Sequence, residues 1–233
     1  MKKPAIIILH GWGSSSEAWQ APKELLEKHG FSVYIPDLPG FGKEPPPKRP
    51  WSVSDYVDFV LEYAGKNGLD KFCLIGHSFG GRIAIKLAAL YPEKLTSLVL
   101  TGVPVRTRKS FKVLTFNFLA KIGKILFLIP PLPFFAPWAR KILYTCVGEW
   151  DYYKTEGVMR QTFKKIINEN LSPFLQKINL PTLILWGEED KVIPLETAYH
   201  LKEKIPQAEL KIIKGGNHRF PYEQPEIFVK YMI

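Results

Sequence analysis

Cysteine is nearly missing from this 233-residue chain: only Cys73 and Cys146 occur, far apart and in different kinds of segment. That excludes a disulfide scaffold, and both are read as free thiols, with Cys73 buried in an apolar run. Long hydrophobic runs are missing too. The longest apolar stretch, ILFLIPPLPFFAPW at 125–138, is too short to span a bilayer and carries four prolines. At the N-terminus, two lysines precede only five apolar residues (AIIIL), too few for the core of a secretion signal, and no small-residue cleavage site follows. A cytoplasmic protein is the expectation. Internal repeats and low-complexity tails are absent.

Acidic residues are scarce in one place. Residues 106–177 hold 13 Lys+Arg against 4 Asp+Glu, whereas the rest of the chain holds 19 against 18. Nine of the ten net positive charges therefore belong to one segment. Its basic residues alternate with large apolar ones, and no nucleic-acid-binding motif occurs, so a nucleic-acid partner is not expected. Weak, salt-sensitive association with anionic membrane surfaces is expected instead.

What is present suffices for one sizeable domain: 46% of residues are hydrophobic and 23% charged, which can build a substantial core. Short β-branched runs at 5–9, 31–35, 71–75, 95–100, 182–186 and 208–213 read as buried parallel strands. Helical patterns at 17–30, 53–68, 80–92, 195–205 and 225–233 alternate with most of them. The fold class is α/β, a parallel sheet covered by helices on both faces. Residues 105–177 break the rhythm with helical, aromatic and basic texture, and read as an insertion between two strands.

Five loops follow predicted strands: HGWG (10–13), PDLPGFG (36–42), GHSFGG (76–81), GEEDKVIP (187–194) and GGNHRFP (215–221). The carboxyl edge of an open α/β sheet is where ligands bind. In the third loop a serine stands among glycines at a strand-to-helix junction. A sharp turn there projects the hydroxyl above the sheet, and glycines are needed where strand and helix pass too close for side chains. Serine alone is a poor nucleophile and needs a base and an orienting carboxylate. Asp190 and His218 lie on the two remaining loops, in the order Ser, Asp, His.

These loops, extended to WGEEDKVIP and GGNHRFPYEQPE, resemble the α/β-hydrolase superfamily, serine carboxylesterase-like with a helical cap, over essentially the whole chain. The resemblance implies an α/β-hydrolase fold with a mostly parallel six-stranded sheet. Residues 1–104 and 178–233 would form the core and 105–177 a helical cap, or lid. The superfamily's two leading antiparallel strands are expected to be missing, since the chain starts at the strand bearing HG. By resemblance Ser78 is the nucleophile, Asp190 the orienting acid and His218 the general base. The backbone N–H groups of Trp12 and Phe79 would form the oxyanion hole. No metal and no organic cofactor is expected.

Each residue has a plainer reading. Ser78 is otherwise a turn serine, and Trp12 otherwise only shapes the pocket. Glu188 and Glu189 compete with Asp190 and read as solvated loop charges; Asp190 stands three residues before Ile193-Pro194, as in the family motif. The fourth strand's loop, TGVP at 101–104, offers no acid. Among the other histidines, His29 and His200 fall in helical patterns, His77 reads as structural, and His10 is expected to hydrogen-bond within its loop. Arg82 reads as a helix-face residue rather than a substrate clamp. A small-molecule carboxylic ester of short-to-medium apolar acyl chain is the expected substrate. Lactone, thioester and carbon–carbon bond hydrolysis are the alternatives, as is a non-catalytic binding role. The superfamily's carbon–carbon hydrolases commonly carry tryptophan after the catalytic histidine, where this chain has Arg219.

Overall fold

The computed structural model describes residues 3–105 and 155–233. Six strands form one sheet: β1 (Ala5–Leu9), β2 (Ser32–Tyr34), β3 (Phe72–His77), β4 (Leu95–Thr101), β5 (Thr182–Gly187) and β6 (Ala208–Ile213). Their order is β2-β1-β3-β4-β5-β6, and every neighbouring pair is parallel. This is the sheet of an α/β-hydrolase fold flanked by helices. The inner strands read as largely apolar runs because both faces are covered, and in β3 every residue is buried. The edge strand β6 alternates with Glu209 and Lys211 and is largely not buried. Alternation along β1 sends Ile7 and Leu9 into one buried cluster and Ile6 and Ile8 into the other.

The helices are α1 (Gln20–Lys28), α2 (Val53–Lys66), α3 (Phe79–Leu90), α4 (Gly157–Asn168), α5 (Ser172–Leu175), α6 (Glu196–Lys204), α7 (Phe220–Glu223) and α8 (Pro225–Lys230). On one face, Val57 and Val60 of α2, Ile83 and Leu87 of α3 and Leu201 of α6 pack over the sheet. Leu26 of α1 and Phe228 and Val229 of α8 cover the other. The helical pattern at 17–30 starts as a 3-10 turn, Ser16–Trp19, before α1. The chain's last helical pattern is preceded by a further short helix, α7. Pro225 cannot donate a backbone hydrogen bond and instead starts α8, with Gln224 at non-helical φ −131° and ψ 61° between the two.

Most of the segment read as a cap, including its aromatic residues from Phe111 to Tyr153, lies outside the described residues. Its described end comprises α4 and α5, where Ile166, Leu171 and Leu175 join the same buried cluster as Leu74 and Leu100 of the sheet. Among the described residues no helix is long and apolar enough to cross a membrane.

The chain leaves β1 towards β2 on one side and returns to β3 on the other. The loops after β1 and β3 therefore diverge from a switch point and open a crevice at the carboxyl edge. At that crevice α3 crosses β1 so closely that a Cβ on Gly80 would stand 2.2 Å from the Leu9 carbonyl oxygen. A Cβ on Gly76 would stand 2.6 Å from the Gly81 Cα. Gly65, exposed in α2, would meet nothing within 4 Å.

The same substitution should therefore act with opposite sign at two positions. Gly80→Ala forces β1 and α3 apart and is expected to cost about 1–3 kcal/mol or more. Gly65→Ala relieves the entropy cost of a helical glycine and should gain about 0.5–1 kcal/mol. Thermal unfolding checks both, at roughly 2–4 °C of Tm per kcal/mol for a chain of this size. Equal shifts in the two variants would contradict the close packing at Gly80.

Candidate active site

Between the end of β3 and the start of α3, Ser78 adopts φ 52° and ψ −114°. Among the described residues it alone is a non-glycine at positive φ, a conformation costing of order 1–3 kcal/mol that surrounding structure must enforce. The enforcement is visible in the backbone bonds. Ser78 N–H donates to the Thr101 carbonyl of β4 at 2.9 Å, and the Ser78 carbonyl accepts from the N–H groups of Gly81 (3.1 Å) and Arg82 (3.3 Å). The Ser78 side chain does not cap α3. It lines a cavity of about 870 Å³ together with His218, Trp12, Phe41, Met159 and Val192.

His218 reaches this cavity from the loop after β6, and Asp190 stands behind it on the loop after β5. Their contact is a 2.7 Å hydrogen bond between His218 Nδ1 and Asp190 Oδ2, with the carboxylate side chain 2% exposed. The other carboxylate oxygen accepts the Val192 and Ile193 N–H groups, both at 2.8 Å. The acid is thus gripped on one side and aimed on the other. With Nδ1–H donated to it, the neutral imidazole keeps Nε2 as its acceptor. Glu188 and Glu189 are exposed, and Glu188 accepts a bond from the Gly215 N–H at 3.3 Å.

The remaining histidines occupy other environments. His10, fully buried, donates from Nδ1 to the Gly11 carbonyl (2.8 Å) and accepts the Leu38 N–H at Nε2 (3.0 Å). It ties the loop after β1 to the loop after β2, and burial holds its pKa below the usual histidine range. His77 is buried with its ring centroid 4.8 Å from that of His218. Burial first, and the neighbouring His218 second, keep it well below its ordinary pKa. His29 is exposed, and His200 lies on α6.

Trp12 and Phe79 flank Ser78 from the loops after β1 and β3. Phe79 is the first residue of α3, so its N–H has no partner within the helix. Among the described residues neither the Trp12 nor the Phe79 amide donates a hydrogen bond. Their rings meet edge-on at 5.3 Å, and Trp12 meets Phe41 the same way at 4.8 Å.

Two residues escaped sequence reasoning. Asp37 accepts the Ser16 N–H (2.6 Å) and the Lys43 N–H (2.9 Å), joining the first two loops. Burial would raise its pKa, but these N–H groups prevail and lower it. An aspartate ahead of Pro and Gly is a turn signal, yet nothing local says that it reaches Ser16. Arg82, read as a helix-face residue, is only 2% exposed and donates to the carbonyls of Pro104, Ile166 and Glu169. No cluster of three or more metal-ligating side chains occurs among the described residues.

Comparison with known proteins adds three kinds of likeness. A sequence model of the alpha/beta hydrolase family matches residues 6–231. The AB hydrolase superfamily protein YisY of Bacillus subtilis is 30% identical over 246 residues, covering 95% of this chain and 87% of that protein. A 2-hydroxy-6-oxononadienedioate/2-hydroxy-6-oxononatrienedioate hydrolase of Burkholderia vietnamiensis is 25% identical over 98% of this chain and 85% of that one. Among solved structures, a bacterial membrane phospholipase A superposes with a TM-score of 0.74 at 26% identity, over 99% of this chain and 78% of its own.

The environment of His10 sets a pH dependence. Its folded pKa lies below the unfolded value, so its stabilisation is fully present above about pH 6.5 and is lost as pH falls through the folded pKa. Protonation would also put a donor where Nε2 must accept from Leu38. Tm should therefore drop between about pH 7 and about pH 5. His10→Gln, which has nothing to titrate, should be less stable at neutral pH and show a shallower drop. Parallel Tm profiles for the two proteins would rule this out.

Proposed function

The chain belongs to the alpha/beta hydrolase family, and from that we propose that it is a serine hydrolase cleaving carboxylic esters through an acyl-enzyme intermediate. The observation carrying this reading is the Asp190–His218 pair at 2.7 Å on the cavity that the strained Ser78 also lines. His218 Nε2 takes the hydroxyl proton as Ser78 Oγ bonds to the ester carbonyl carbon, and Asp190 stabilises the imidazolium that forms. The carbonyl oxygen becomes an anion facing the Trp12 and Phe79 N–H groups, where one such donor is typically worth about 10²–10³ in turnover. Collapse breaks the carbon–oxygen bond, and His218 returns the proton to the departing alcohol. Water then repeats the cycle on the acyl-enzyme.

The apolar walls supplied by Trp12, Phe41, Met159 and Val192 favour short-to-medium apolar acyl groups over acetate. Each methylene buried in the transition state contributes about 0.8 kcal/mol, so two extra carbons should raise kcat/KM roughly tenfold. The likeness to a phospholipase supports ester chemistry. The Burkholderia relative, whose name specifies hydrolysis of an oxo-dienedioate, supports carbon–carbon cleavage as a second reading.

Three measurements test the reading. A fluorophosphonate probe should label the wild type and leave Ser78→Ala unlabelled. Ser78→Ala, His218→Ala, Asp190→Ala and their combinations should fall to similar residual rates, roughly 10⁴-fold or more below wild type, because the three act as one unit. Glu189→Ala should retain activity. Labelling that persists without Ser78, or full activity without Asp190, would reject the assignment. Across p-nitrophenyl esters, a steady fall from acetate would reject the apolar pocket, and turnover confined to oxo-dienedioates would favour the second reading.

A further inference from the structure

Arg82 lies one helical turn beyond Ser78 on α3, buried, and holds both ends of the inserted segment. One terminal nitrogen, Nη1, donates to the Pro104 carbonyl at 2.7 Å, where the chain leaves β4. The other, Nη2, donates to the carbonyls of Ile166 (2.7 Å) and Glu169 (2.5 Å), where the chain returns. Ile166 and Glu169 stand at the carboxyl end of α4, so the guanidinium caps that helix from another element and meets the negative end of its dipole. Two further contacts reinforce the foot. Lys86, a turn later on α3, pairs with the Glu169 carboxylate, and Leu171 N–H donates to the Val105 carbonyl at 3.3 Å. Burial lowers the Arg82 pKa only to about 10, which leaves it charged at neutral pH.

At its other end α4 builds the cavity wall. Met159, Thr162, Phe163 and Ile166 follow helical spacing along one stripe. Met159 lines the cavity and packs so tightly over Gly40 that a Cβ there would stand 2.2 Å from its methyl carbon. The Phe163 ring meets Trp12 edge-on at 4.9 Å, and Thr155, just before α4, accepts a bond from Trp12 Nε1 at 3.4 Å. One helix, α3, thus carries Ser78 at its start and the anchor of the opposing wall a turn later.

We propose that Arg82 is a positioning residue for acyl selectivity, fixing the distance between Ser78 and the Met159 wall by clamping the carboxyl end of α4 to α3. The inference rests on the serine-hydrolase reading above for its kinetic arm. A lysine at this position offers a point charge that cannot bridge three separated carbonyls as a planar fork does. Loosening the clamp lets α4 retreat, so longer acyl chains lose their wall while acetate, which barely reaches it, loses less.

The test compares wild type with Arg82→Lys, Glu169→Gln and Met159→Ala. Hydrogen exchange across residues 157–168 should quicken about tenfold or more in Arg82→Lys and less in Glu169→Gln, whose backbone carbonyl is retained, while Met159→Ala stays near wild type. The hexanoate-to-acetate ratio of kcat/KM should fall about tenfold in Arg82→Lys and in Met159→Ala, chiefly through a higher KM for hexanoate. Glu169→Gln should move the ratio in the same direction, and it decides the matter if Arg82→Lys does not fold. Unchanged exchange over 157–168, or equal loss for every acyl length, would overturn the proposal. If the wild type hydrolyses no ester, the serine-hydrolase reading fails, and the exchange measurement still judges the clamp.

Discussion

The backbone of Ser78, at φ 52° and ψ −114°, is held in a region that a side-chain-bearing residue occupies only under constraint from its surroundings. The constraint comes from three strands and a helix at once. The Thr101 carbonyl of β4 accepts the Ser78 N–H, the His10 carbonyl accepts the Gly80 N–H at 3.1 Å, and the first turn of α3 hangs from the Ser78 carbonyl. Gly76 and Gly80 permit this because a Cβ at either would collide with backbone or with a neighbouring side chain. The turn is therefore a product of the whole carboxyl edge of the sheet, and the edge cannot relax without releasing it.

Around that turn, charge is distributed by environment rather than by residue type. His77 and His218 line the cavity and His10 is bonded to Gly11, which also lines it, yet of the three only His218 is bonded to a carboxylate. Burial disfavours the charged forms of His10 and His77. Asp190 owes its orientation to two backbone amides on the far side, so the acid end of the pair is fixed. Arg82 and Lys86 show the complementary case: buried cations accepted because carbonyl dipoles and the Glu169 carboxylate surround them.

The aromatic residues connect the parts. Trp12 touches Phe41, Phe79 and Phe163, and so joins the loops after β1, β2 and β3 to α4. Displacing any of its three partners shifts the Trp12 ring, and Trp12 lines the cavity. The position of the wall and the geometry of the loops are thereby coupled through packing, which responds in discrete steps because interiors are dense.

The chain's local pattern was enough to reveal the six strands, the α/β class and the serine at a strand-to-helix turn. Strands buried on both faces leave β-branched runs, and glycines mark where strand and helix pass too close for side chains. Local pattern also pointed to the loops bearing Asp190 and His218, because strand ends are marked by Gly, Asp and Pro. It did not reveal that Pro225 separates two helices, since proline tolerates both a helix start and a kink. Nor could it assign His10 its bonds to Gly11 and Leu38, Asp37 its reach to Ser16, or Arg82 its three carbonyls. Those partners are brought together only when parallel strands and their crossovers close. Burial and hydrogen-bond identity are consequences of that closure, so residue type and spacing do not encode them.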